Sequence, residues 1–140
     1  MIPTLKQICR YHLPSILCGS CILLLCVIKI PADETPITIP YFDKIVHFTM
    51  FFTLSFLFVV ENRITSDKKW QNPLPLVFLT VLLAAFFGGL IEIIQGELTN
   101  YRTADIYDWY SDLAGSFTAV ALAGILFVTR HLIGKVVGKK

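Results

Sequence analysis

Apolar residues come in four long blocks separated by short polar stretches: about Leu13 to Ile30, Ile45 to Val60, Leu74 to Ile94 and Leu113 to Thr129. Each carries few charges and approaches the roughly 20 residues that cross about 30 Å of hydrocarbon as a helix. The second and fourth are short for that purpose, so flanking residues must extend them. The pattern predicts an all-α fold, a bundle of four transmembrane helices forming a single membrane domain over residues 1–140. The first block follows Lys6 and Arg10 as the core of a signal peptide would, but no small-x-small cleavage site comes after it. It is read as an uncleaved helix.

Composition strengthens this reading. The chain is 55% hydrophobic and 16% charged, with mean hydropathy +0.68, which leaves a soluble fold too little polar surface. Basic residues mark the cytoplasmic ends of membrane helices. Lys6, Arg10, Arg63, Lys68, Lys69, Arg130, Lys135, Lys139 and Lys140 fall on one side and only Lys29, Lys44 and Arg102 on the other, so both termini are expected in the cytoplasm. The acids run the other way: only Glu61 and Asp67 lie inside, and Asp33, Glu34, Asp43, Glu92, Glu97, Asp105, Asp108 and Asp112 lie outside. The expected location is the inner (cytoplasmic) membrane of a bacterium, crossed several times. Membrane lipids are the expected partners and nucleic acid is not.

The connections follow. Pro31, Pro36 and Pro40 favour extended backbone in the first outer loop. The stretch "ENRITSDKKWQNP" reads as a solvated inner turn with no chemistry of its own. Tyr41, Phe42, Tyr101, Tyr107, Trp109 and Tyr110 suit the boundary between water and lipid. Cys9, Cys18, Cys21 and Cys26 crowd the first helix, and without an adjacent His or a second cysteine pair they read as small packing residues.

The candidate chemistry lies where "GGLIEIIQGELTNYRTADIYDWYSDLAGS" fills with carboxylates between two apolar blocks. Residues four apart share a helix face, which puts Asp43 beneath His47 and places Ala84, Gly88 and Glu92 on one stripe that Gln95 joins. If the last helix begins near Ala104, Asp105, Asp108 and Asp112 share one side, next to a stripe of Ser111, Gly115, Ala119 and Ala123. Small residues let membrane helices approach closely, so Gly88, Gly89 and Gly115 are expected to serve packing, and the acids should point into the bundle. Arg102 is the expected clasp for these carboxylates, yet one Arg cannot neutralise five. The remainder calls for a cation, a cationic ligand or protons. His47, Glu92, Asp105 and Asp108 are candidate ligands for a divalent metal ion, although no tight motif such as H-E-x-x-H occurs.

"DKIVHF", "EIIQ" and "YRTADIYDWYSDLAG", in that order, resemble the VanZ-like family of small bacterial membrane proteins, with the likeness covering about residues 41–125. The family pattern is approximately D-K-x-x-H-F, E-x-x-Q and R-x-x-D-x-x-D followed by Asn-x-x-Gly. Asp43, Lys44 and His47 match its first motif, Glu92 and Gln95 its second, and Arg102, Asp105, Asp108 and Gly115 its third; Asp112 stands where the family more usually has Asn. The resemblance implies a polar site shared between helices, in a family named for a protein associated with resistance to the glycopeptide teicoplanin. Three functions compete: binding an amphiphile such as a lipid-linked envelope precursor or a lipoglycopeptide at an outward polar site, an enzyme acting on lipid head groups through His and carboxylates, and a structural subunit docking a partner through its acidic face.

Overall fold

A computed structural model describes residues 11–28, 40–65, 73–100 and 102–137. The Pro31 and Pro36 loop, most of the inner turn, Cys9 and Tyr101 lie outside the described residues. Among those described the chain is helical: α1 spans Leu13–Val27, α2 Phe42–Thr65, α3 Leu74–Leu98 and α4 Ile106–Val137. Local chemistry sets several boundaries. Pro14 and Pro75 sit in the first turns of α1 and α3, where a missing N–H costs nothing. Ile28 and Thr99 are extended and end those helices. Tyr41, at φ 60°, turns the chain into α2.

The helices outrun the apolar blocks that predict them. α2 takes in Asp43 and Lys44 at one end and Glu61 to Arg63 at the other, and α4 begins at Ile106, close to the expected start near Ala104. Polar residues at helix ends can remain helical because their backbone bonds are made within the helix and their side chains find partners. α2, α3 and α4 are long and apolar enough to cross a membrane, and α1, with 15 described helical residues, is shorter than a full span.

Contacts order the helices. Glu61 near the end of α2 meets Ser15 near the start of α1, so these two are antiparallel. His47 meets Asp112, Ser55 meets Ser116, and Val59 packs with Val120 and Ala123, so α2 and α4 run parallel. Theirs is the most extensive contact in the molecule, and its cause is α4's face of Asp112, Ser116, Ala119 and Ala123, each fully buried. A Cβ on Gly115 would strike the Phe48 carbonyl oxygen and lie 3.0 Å from the Phe52 N. Only a glycine permits that approach.

The burial pattern is that of a protein solvated by lipid. Phe78 and Phe86 are 70% and 73% exposed, while His47, Glu92, Gln95, Asp108 and Asp112 are buried. Water would penalise that arrangement; lipid rewards it, since polar groups in a membrane bundle face inward. Ile22, Cys26, Phe51, Ala84 and Ile91 form the apolar core between α1, α2 and α3. Cys18, Cys21 and Cys26 are free thiols, and Cys26 packs in that core.

Candidate functional site

The start of α2, the end of α3 and the start of α4 meet at one end of the bundle and bring most of the acids together. They divide into two clusters.

The outer cluster surrounds Lys44. Its Nζ lies 3.0 Å from Asp43, 2.7 Å from Asp105 and 3.0 Å from Asp108. An ammonium has three N–H bonds, and each finds one carboxylate. Asp105 also starts α4: its Oδ1 accepts the Tyr107 N–H at 2.9 Å, the geometry of a helix N-cap. The Lys44 ammonium, aided by that N–H, holds the Asp105 carboxyl below the usual carboxylate range. The expected clasp, Arg102, forms no salt bridge among the described residues. Lys44 takes that role because the first turn of α2 lies directly against the first turn of α4, whereas Arg102 precedes α4 in the connection.

The inner cluster consists of His47, Glu92 and Asp112. His47 Nδ1 is 3.0 Å from Asp112 Oδ1, and both side chains are buried, at 3% and 0% exposure. Asp43, one turn from His47 on α2, turns outward to Lys44, and the register of α2 against α4 delivers Asp112 to His47 instead. Nδ1 donates to Asp112 when it carries the ring proton and offers a lone pair when Nε2 carries it. Glu92 Oε2 accepts the Asp105 backbone N–H at 2.7 Å, tying the end of α3 to the cap of α4. Glu92 Oε1 and Asp112 Oδ2 are buried and without a hydrogen-bond partner among the described residues. Ligand atoms of the three residues lie within 4.8 Å of one another.

Glycine makes this possible. A Cβ on Gly88 would stand 2.6 Å from Asp112 Oδ2, so α3 leaves the space that the carboxylate fills. A Cβ on Gly89 would make only ordinary contact, at 3.6 Å, with Trp109, whose indole N–H donates to the Ala85 carbonyl at 2.9 Å. Ser111 hydrogen-bonds its own helix and does not join either cluster.

Gln95 is buried but serves α1: its Nε2 donates to the Cys26 carbonyl at 3.0 Å, satisfying an end carbonyl of that helix. Glu97 is exposed. The expected metal set therefore divides, because Asp105 and Asp108 group with Asp43, and Asp112 joins His47 and Glu92.

The opposite end holds a group that the sequence reading passed over. Glu61, 8% exposed, accepts the Ser15 N–H at 2.9 Å and the Ser15 hydroxyl, and lies 3.2 Å from His12 Nδ1. It caps α1 from α2. The signal was an acid directly following Val59 and Val60, the same placement that drew attention to Glu92.

The model of the VanZ/LLP1 family matches residues 8–127. The chain belongs to the VanZ/LLP1 family. This VanZ-like membrane protein is also 36% identical, over 95 residues, to an uncharacterized protein of the fission yeast Schizosaccharomyces pombe; the match covers 67% of this chain and 53% of the yeast protein. The chain thus spans about half the length of that relative. No solved structure matches the chain.

Proposed function

We propose that this VanZ-like protein binds the polar head of an amphiphile at the Lys44 end of the bundle, with the tail in the apolar phase. The observation that carries the reading is the rim of the outer cluster: Asp43 and Asp105 are 52% and 36% exposed at their side chains, beside a half-buried Lys44 and above buried carboxylates. Such a rim suits hydroxyl- or amine-bearing head groups, which bring the donors that carboxylates accept. Exposed Tyr41, Tyr107 and Tyr110 stand at the same end, and aromatic rings favour the head-group boundary.

The finer reading follows the charge distribution and the family. The acidic end faces outward from a bacterial cytoplasmic membrane, the ligand is a lipid-linked envelope precursor or a lipid-tailed glycopeptide, and the protein contributes to teicoplanin resistance. The yeast relative favours a ligand that a eukaryotic membrane also offers, so an ordinary membrane lipid is the first to test. Native mass spectrometry from a mild detergent should show a co-purifying lipid, and deletion should change sensitivity to teicoplanin more than to a glycopeptide without an acyl chain. Equal sensitivity to both, with no lipid retained, contradicts the reading.

The His47–Asp112 pair favours a second reading, an enzyme acting on the same head groups. A buried carboxylate that orients an imidazole is the base-and-orienter half of many catalytic sets. His47→Ala would then abolish lipid turnover while leaving lipid retention intact; retained cellular function in that variant excludes the enzyme.

A further inference from the structure

We infer that His47, Glu92 and Asp112 form a binding site for one divalent metal ion of the Zn²⁺ type. The first ground is the chemistry of the donor set. With the ring proton on Nε2, the cluster presents the Nδ1 lone pair, 3.0 Å from Asp112 Oδ1, together with Glu92 Oε1 and Asp112 Oδ2, all acceptors and none of them a donor. Glu92 Oε1 and Asp112 Oδ2 have no hydrogen-bond partner among the described residues, and buried acceptors left so are costly; the residues that carry them are 7% and 0% exposed.

The second ground is charge. A neutral imidazole with two carboxylates carries two negative charges, which one divalent cation balances. Among the described residues no Lys or Arg pairs with Glu92 or Asp112, and all three bonds of the Lys44 ammonium go to Asp43, Asp105 and Asp108.

The third is geometry. One ligand atom from each residue lies within 4.8 Å of the others. Ligands about 2.0–2.2 Å from a tetrahedral Zn²⁺ stand roughly 3.4 Å apart, a closure within reach of side-chain rotation. Nitrogen with carboxylate oxygen is a set that Zn²⁺ accepts, and three protein ligands leave a fourth position open. Glu92 and Asp112 are already held from outside, by the Asp105 N–H and by the space over Gly88. Such supporting contacts orient metal ligands. The Asp43, Asp105 and Asp108 group has the same spacing but encloses Lys44, so the ammonium already fills the place an ion would take.

The inference does not rest on the amphiphile reading. The test is Zn²⁺ binding to the chelator-stripped, detergent-solubilised full chain, read as bound metal after dialysis and as the metal-dependent rise in melting temperature. Glu92→Gln keeps an acceptor for the Asp105 N–H and Asp112→Asn keeps shape, while Glu61→Gln removes a buried carboxylate at the opposite end. The expected result is one ion per wild-type chain and per Glu61→Gln chain, with affinity lowered at least about tenfold in the other two variants, each still monodisperse. Absence of binding by the wild type, or equal binding by all four proteins, overturns the inference. Lipid retained by a wild type that binds no metal overturns it while leaving the head-group reading standing.

Discussion

The two carboxylate clusters lie side by side at one end of the bundle, yet they are balanced in opposite ways. Around Lys44, three acids share one internal ammonium, and each N–H has a carboxylate. Around His47, two acids share one imidazole, and two buried oxygens face no donor. The first cluster is a joint: it fastens the start of α2 to the cap and first turn of α4. The second is a receptacle, held in shape from outside and incomplete within. The difference teaches that charge at membrane depth is no single signal. What separates structure from function is whether the protein supplies the counter-charge itself.

Removing the contact on which both clusters depend should have the largest effect. Gly115→Ala drives a methyl into the Phe48 carbonyl, and backbone cannot yield as a flexible side chain can. The expected loss is about 3 kcal/mol or more, read as loss of monodisperse protein in detergent, with both clusters disrupted together. Gly88→Ala is more selective. Its methyl would displace the Asp112 carboxylate and press on Trp109 at 3.3 Å, at a cost of about 1–3 kcal/mol, and it should abolish metal binding while leaving the Lys44 cluster in place.

Lys44→Met should invert the dependence of stability on pH. In the wild type the Asp105 carboxyl is lowered, so its contribution is fully present above the unfolded value near about pH 4 and is lost as pH falls through the folded value. In the variant three carboxylates crowd without a cation, so acidification through that range should raise the melting temperature. A profile parallel to the wild type would break the comparison. The smallest effect belongs to Ser55→Ala, which removes the 2.9 Å bond to Ser116 between α2 and α4 and should cost about 0.6 kcal/mol in a double-mutant cycle.

The elements that follow from helical period and hydropathy were legible in the sequence: the apolar blocks, the stripe of Ala84, Gly88 and Glu92, and the gathering of Asp43, His47, Glu92, Asp108 and Asp112 at one end. The pairing within that end was not. Which acid reaches His47 depends on the register of α2 against α4, and that register comes from the fit of Gly115 to Phe48, a property of neither helix by itself. The same holds for Lys44, whose chemistry is less suited to a clasp than the fork of Arg102 but whose position puts it among the acids. Glu61 was hidden for a different reason: as an acid at the edge of a polar turn it looked solvated, and only the docking of α1 turns it into a buried cap.

Diffraction at the zinc absorption edge, from crystals of the full chain grown with Zn²⁺, would test the contrast most directly. The account predicts an anomalous peak within bonding distance of His47, Glu92 and Asp112, with Lys44 still inside its three carboxylates and no peak there. An ion among Asp43, Asp105 and Asp108 with Lys44 turned away, or no peak beside His47, would contradict it.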